Sequence, residues 1–557
     1  MADKNQFIFL IFIIIGIVIQ QGNVSEAADK DGFPVAIIHI NDLHARFEAT
    51  DTSGGTCDEG ETCIGGYPRT VYTIRRLLAE QAELNPIYIN AGDSFQGTLW
   101  YNLGRWNVTQ QLLNILPADA MTLGNHEFDN GVEGVVPFLQ TINTSMLVAN
   151  MDCAHEPTMD GLYKKSEIIE RNGRKIGLIG VILETTYELA NTGKLIFRNE
   201  SDTIREEAAL LKAQGANIII VISHCGYDVD QDIAANAGDV IDVIVGSHSH
   251  TFLYTGTPPG PHNAAGPYPT EVVHSTGHRV LIVQASAYAR YVGNLVVYFD
   301  DNGDVVDFEG APLYMGQDVP QDEQVLEAMV PWQDEMESIS KQVVGQSRVY
   351  LQQSECSHGE CNLGNFFTDA MVYSFVKDEV STNEKWSNVT MAMTTQGTFR
   401  VPIHPGNITY GQLVTVCPWQ NQLVALNLYG HHILQTLEVG VASMNASSAS
   451  PRSSRLLQVS GLRYVVDLKA KVGQRITSVR VRCSECQVPE YRPLDLTKQY
   501  RLVVMSYLAS GMNGFGVISE NAEDLEMGPI DVDAFKDYMD AVGPITTGIE
   551  NRIQILN

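Results

Sequence analysis

The sequence predicts an α/β protein of two domains, and three observations carry that reading. Five apolar runs of strand length each stop at a cluster rich in Asp, Asn and His. Strand-like and helix-like segments alternate up to about residue 320, where the character of the chain changes. At 557 residues the chain is also too long for a single hydrophobic core.

The first run, 35–40, leads into His39-Ile-Asn41-Asp42-Leu-His44. The runs 87–91, 121–123, 218–222 and 240–245 lead into Gly92-Asp93, Gly124-Asn125-His126-Glu127-Phe128-Asp129, Ser223-His224 and Gly246-Ser247-His248-Ser249-His250. Continuous apolar strands of this kind are covered on both faces, and layered sheets deliver their loops to one edge, where α/β enzymes place their sites. Between the first two runs, 69–83 reads as a helix. The strand 295–299 turns at Asp301-Asn-Gly-Asp304 into a hairpin. Polar, acidic 321–343, entered at Pro320, reads as a helix connecting two domains. Beyond it, 362–376 reads as a helix and 423–428, 462–467 and 500–505 as strands. The Ser-rich stretch 443–454 reads as an exposed loop.

The formal charge of −30 argues against nucleic acid or an anionic membrane surface as partner, and is otherwise explained by solubility. Lys4, the apolar run 7–19 and Ser25-Glu-Ala27 read as a cleaved signal peptide spanning 1–27. A membrane anchor is the alternative, but the run falls short of the ~20 residues a spanning helix needs. Sequons at Asn107, Asn143, Asn199, Asn388, Asn407 and Asn445 fit secretion, and the C-terminus carries no lipid-anchor signal. Cys57/Cys63, Cys356/Cys361 and Cys483/Cys486 form close pairs suited to disulfides. Cys153, Cys225 and Cys417 remain, an odd number.

Asp42, His44, Asp93, Asn125, His224, His248 and His250 form a sulfur-free N/O donor set, suited to ions such as Zn, Mn or Co. Seven donors exceed one tetrahedral site. They suit two ions sharing a carboxylate, about 3.5–4 Å apart, with Asp93 as the natural bridge. Such ions lower the pKa of a trapped water and offset charge in an in-line displacement at phosphorus. His126 and Asp129, three residues apart, become neighbours on a helical turn, where the Asp orients the imidazole. His39 is set aside, because its side chain points opposite to Ile38 and Ile40, where it faces packed helices or supports the site from outside. Glu127 is read as a supporting residue.

These clusters resemble the calcineurin-like metallophosphoesterases, and their fuller wording resembles the 5′-nucleotidase family. The resemblance rests on 38–48, 90–98, 124–131, 245–253 and 360–365 and covers nearly the whole mature chain. It implies an αββα metal domain over 33–318, a connecting helix over 319–343 and a mixed α/β nucleotide-binding domain over 344–557. By position, one ion falls to Asp42, His44, Asp93 and His250, and the other to Asp93, Asn125, His224 and His248. His126 and Asp129 become the catalytic pair, and the metals stay open among Zn, Mn, Ca, Mg and Co. Trp419 and Tyr507 become the aromatics that stack on the base, Asn513 a ribose contact and Arg400 the phosphate clamp.

The clamp departs from the nucleotidase wording. The segment reads Thr395-Gln-Gly-Thr-Phe-Arg400 in place of Asn-Gly-Gly-Gly-X-Arg, and Ser357 stands where a second arginine is expected. With secretion and no anchor, this pattern looks like the salivary apyrases of blood-feeding arthropods, which implies hydrolysis of ATP and ADP to AMP and removal of the ADP that recruits platelets. A soluble 5′-nucleotidase acting on AMP is the enzymatic alternative. A secreted protein that binds a receptor or nucleotide without catalysis is the other, though the complete donor set and the absence of an Arg-Gly-Asp tripeptide speak against it.

Overall fold

The computed structural model describes residues 32–52, 54–57, 60–377 and 386–556; the candidate signal peptide, 1–27, lies outside them. The apolar runs form parallel strands in two sheets. In one, Phe33–Ile40 pairs in parallel with Ile87–Asn90, which pairs in parallel with Ala120–Met121. Tyr291–Phe299 and the hairpin partner Val305–Gly310 extend that sheet antiparallel. In the other, Ile218–His224 runs parallel to Arg174–Ile182 and to Val243–Val245, with Arg279–Val283 beyond.

Both faces of these strands are apolar because both are covered. Val35, Ile37, Ile87 and Ile89 meet Ile218, Ile220, Ile222, Val243 and Val245 in a core between the sheets. The alternate residues face helices. Ile38 and Ile40 share a cluster with Val71, Ile74 and Leu77 of Tyr67–Glu80. Val221 and Ile244 pack with Ile204 and Leu211 of Glu200–Ala213 and with Ile233 of Tyr227–Ala237. The layers therefore run helix, sheet, sheet, helix.

The same period of two corrects the expectation for His39. It shares the phase of Val35 and Ile37 and so lies between the sheets, not against helices. There its ring stacks on Tyr268, with Nε2 3.0 Å from the Tyr268 hydroxyl, and burial holds its pKa down to about 3.

The C-terminal part centres on a five-stranded mixed sheet in the order Leu457–Ser460, Met391–Thr395, Gln499–Met505, Gln422–Tyr429, Glu523–Ile530. Phe366 and Phe367 of the helix Asn362–Val376 and Phe535 of Asp531–Val542 pack together beside it. Ile433 and Leu437 of Gly430–Val441 pack with Val424, Leu426, Leu502 and Val504 of the strands. Residues 443–454 are irregular and mostly exposed, except Met444, which packs in the core, and Ser453, which is buried and donates to Gly440 O.

The helix Glu323–Ser340 joins the two parts, capped by Asp322, whose carboxylate accepts from Val325 N at 3.1 Å. Its Val325, Met329 and Met336 are buried in one apolar cluster that runs from Phe128 and Met315 to Phe367 and Val414. This shared core fixes how the two parts face each other. The three cysteine pairs are disulfides, and Cys153, Cys225 and Cys417 are free thiols. All six sequon asparagines are exposed. Among the described residues, no helix is long and apolar enough to cross a membrane.

The packing of the connecting helix yields a paired prediction. Met329→Ala empties a buried site and should cost about 2–5 kcal/mol, read as a lowered denaturation midpoint. Leu326→Ala, at a position 37% exposed, should stay within about 0.5 kcal/mol. Equal effects would contradict the shared core.

Candidate metal centre

The polar clusters meet at the carboxyl edge of the parallel strands. Asp42, His44, Asp93 and His250 bring ligand atoms within 4.8 Å of one another, and so do Asp93, His224 and His248. Asp93 belongs to both groups. Asn125 Oδ1 lies 2.9 Å from His248 Nδ1, so all seven predicted donors come together.

The backbone is bent to achieve this. Asp42, His44, Asp93, His248 and His250 all have left-handed φ, between 50° and 70°, a region that side chains other than glycine's rarely occupy. Several contacts hold the strain in place. Asp42 N donates to Gly92 O at 3.0 Å and His44 N to Asp93 O at 2.9 Å, which ties the first two strand ends together. Asn41 Nδ2 donates to Asp42 Oδ2 at 2.7 Å and to Ser286 O at 2.5 Å. Ser247 Oγ lies 3.1 Å from Asp42 Oδ2 and 2.8 Å from His224 Nδ1. At Gly124 a Cβ would sit 2.1 Å from Asp93 Oδ1, so only glycine permits this approach.

Glu127 supports the centre through the backbone. Its fully buried carboxylate accepts from Asp93 N at 3.1 Å, Ser94 N at 2.8 Å, Phe95 N at 3.2 Å and Gly124 N at 2.6 Å. One side chain thus fixes the loops that carry Asp93, Asn125 and His126.

The donor chemistry fits two cations. His44 Nδ1 lies 3.0 Å from Gln96 O and His224 Nδ1 lies 2.8 Å from Ala91 O. With Nδ1–H donating outward, each Nε2 directs a lone pair inward. His44 Nε2 then faces His250 Nε2 at 3.0 Å. His224 Nε2 lies 3.2 Å from Asp93 Oδ2, on the carboxylate that both donor groups share. Burial pushes the Asp42 carboxyl up to about 6, and the charge of Asp93 adds to the effect. Lone pairs and carboxylates crowded in a dry space need positive charge between them. The cluster is suited to a pair of divalent metal ions.

Beside it stands the predicted pair. The short helical turn Asn125–Phe128 sets His126 Nδ1 2.9 Å from Asp129 Oδ2 and lets His126 N donate to Asp93 Oδ1 at 3.0 Å. Burial disfavours the imidazolium of His126, but Asp129 and Asp93 outweigh it and raise the pKa.

The C-terminal part reaches into this centre. Arg400 Nη2 donates to His126 Nε2 at 3.0 Å, and its guanidinium lies 4.6 Å from the centroid of the Trp419 ring. Trp419 also stacks on His126, with centroids 5.1 Å apart. Tyr507, on the helix Ser506–Ala509, is partly buried, and burial raises its pKa, as does the nearby charge of Asp129. Asn513 has φ +58° and its N–H donates to Glu188 O at 2.5 Å across the two parts.

Sequence reasoning missed Asn41, Ser247 and Tyr288. The Tyr288 ring lies edge-on to His44 and His250, and Arg46 and Arg290 lie 4.0 and 4.9 Å from its centroid. Asn41 and Ser247 adjoin donor positions and could have been flagged; Tyr288, far away in sequence, had no such signal.

Comparison with known proteins agrees with this geometry. Residues 35–252 match the calcineurin-like phosphoesterase model and 343–520 the 5′-nucleotidase C-terminal domain model. The chain is 45% identical to an apyrase of Tabanus yao, over 94% of each chain. It is 39% identical to an apyrase of Aedes aegypti, over 97% of this chain and 95% of the relative. The crystal structure of a 5′-nucleotidase precursor from Thermus thermophilus superposes with a TM-score of 0.85 at 34% identity, covering 94% of this chain and all of that one.

Glu127→Gln replaces an acceptor oxygen with a donor facing backbone N–H groups. It should destabilise the protein by about 3 kcal/mol or more. It should also lower the affinity for Mn2+ or Co2+, read by titration of the metal-free protein. An unchanged melting temperature and metal affinity would refute this supporting role.

Proposed function

The chain belongs to the 5′-nucleotidase family, and on that footing we propose that it is a secreted, divalent-metal-dependent apyrase that converts ATP and ADP to AMP and phosphate. The observation that carries the reading is the junction of Arg400 with His126 beside the Asp93-centred donor cluster. It joins a phosphate-binding cation to a phosphoester-cleaving site. The proposed division follows the sequence reading: a metal domain over 33–318, a connecting helix over 319–343 and a nucleotide domain over 344–557.

In this proposal Asp42, His44, Asp93 and His250 hold one ion, and Asp93, Asn125, His224 and His248 the other. Bound there, two divalent ions supply Lewis acidity to a water and to the phosphoryl oxygens. His126, oriented by Asp129, donates a hydrogen bond from Nε2–H to an oxygen of the transferred group as negative charge grows there. Arg400 pairs with oxygens of the same group, which takes the place of His126 as its partner. Trp419 and Tyr507 offer aromatic faces to the base, and Asn513 a polar contact to the ribose. The named apyrases among the relatives support nucleoside di- and triphosphates as substrates, and the exposed sequons support an extracellular setting. There the enzyme would remove the ADP that activates platelets.

Phosphate release from ATP, ADP and AMP tests the reading. Release from ATP and ADP but not AMP is expected, abolished by EDTA and by Asp93→Ala. Strong release from AMP would make the protein a nucleotidase, and no release with metals restored would leave a binding protein. Arg400→Ala should lower kcat/KM for ADP about a hundredfold with the fold intact by circular dichroism.

A further inference from the structure

We infer that Arg455 is a second cationic substrate contact, one that binds the phosphate retained in the leaving nucleotide. This rests on the reading of the cleft as a site for nucleoside di- and triphosphates. Arg455 stands between two segments already implicated. Two residues before it, Ser453 N donates to Ser357 O at 2.9 Å. One residue after it, Leu456 O accepts from Gln396 N at 3.2 Å, in the segment that ends at Arg400. The loop bearing Arg455 is thus tied by its backbone to the loop bearing the clamp.

The side chain turns toward the nucleoside end. A Cβ placed on Gly514 would lie 3.1 Å from Arg455 Nη1, so the guanidinium rests over the turn next to Asn513. Gly514 itself has φ +78° and tolerates no such addition. The Arg455 charge also reaches the Tyr507 phenol, where it opposes the charges of Asp129 and Glu188. The guanidinium is half-buried, and among the described residues its side chain makes no hydrogen bond or ion pair. Half-buried arginines ordinarily find an acceptor, and an unpartnered one against a nucleotide cleft calls for an anion.

Position decides which anion. Arg400 sits at His126, where the transferred phosphoryl group must lie. Arg455 sits beside Tyr507 and Gly514, so along a chain running from the metals to the nucleoside it meets the α-phosphate of ADP or ATP. A planar guanidinium can hold two of its oxygens at once.

Titration calorimetry on the metal-loaded protein tests this with two probes, non-hydrolysable α,β-methylene-ADP and adenosine. Arg455→Ala should weaken the analogue about tenfold to a hundredfold and leave adenosine unchanged. Arg455→Lys, which keeps charge and fold, should recover part of the loss. Equal losses for both probes, or no loss for either, would overturn the assignment while the wild type still binds the analogue and releases phosphate from ADP. If the wild type does neither, the apyrase reading fails and this inference with it.

Discussion

The Asp93 carboxylate is the point on which the two halves of the donor cluster depend, and it cannot be placed by its own strand. Ile87–Asn90 ends three residues earlier, and Asp93 stands in a left-handed conformation that its side chain disfavours. What holds it is Glu127, which anchors three consecutive N–H groups of the Asp93 loop and the N–H of Gly124. A buried carboxylate spent on backbone, with no substrate in reach, makes sense only where the geometry of a neighbour is critical. Asp42 shows the same economy in reverse: its loop is bent as sharply, and Asn41, Ser247 and the Tyr288 N–H hold it from outside.

The second constraint is the shared core beneath the connecting helix. A phosphoester-cleaving centre on one sheet edge and the clamp proposed for the C-terminal part work together only if their separation is set to within a fraction of an ångström. Met329 and Met336 sit where both parts pack, and Arg400 and Trp419 arrive at His126 as a consequence. In the structure His126 Nε2 accepts from Arg400. In the proposed reaction an anionic oxygen of the transferred group at this point would accept from Arg400 and, once His126 carries a proton on Nε2, from His126 as well.

The strands and their polar ends were legible because apolar runs without alternation have one stable home, a doubly covered sheet. The helix 362–376 was legible in its bounds, which match Asn362–Val376. The seven candidate donors were legible jointly, because each lies within five residues of the carboxyl end of an apolar strand. The phase of His39 was in plain view and was still misread, because only the inner sheet faces could accept it. Left-handed φ at five donors leaves no mark in composition, as none of the five is glycine. Tyr288 and Arg455 were invisible for another reason. Their neighbours come from distant parts of the chain, and nothing local distinguishes them from core aromatics and surface cations.

The charge of −30 sets the problem these residues solve. A nucleotide polyanion approaching such a surface is repelled, but in physiological salt the repulsion fades over about 8 Å. Affinity must then be built at contact, from groups close enough to act through a dry cleft. Arg400 lies near enough to the donor histidines to disfavour their charged forms: burial dominates in holding down the pKa of His44 and His250, and Arg400 is the next cause. The same guanidinium, held at His126, is the cation proposed to pair with the transferred phosphoryl group.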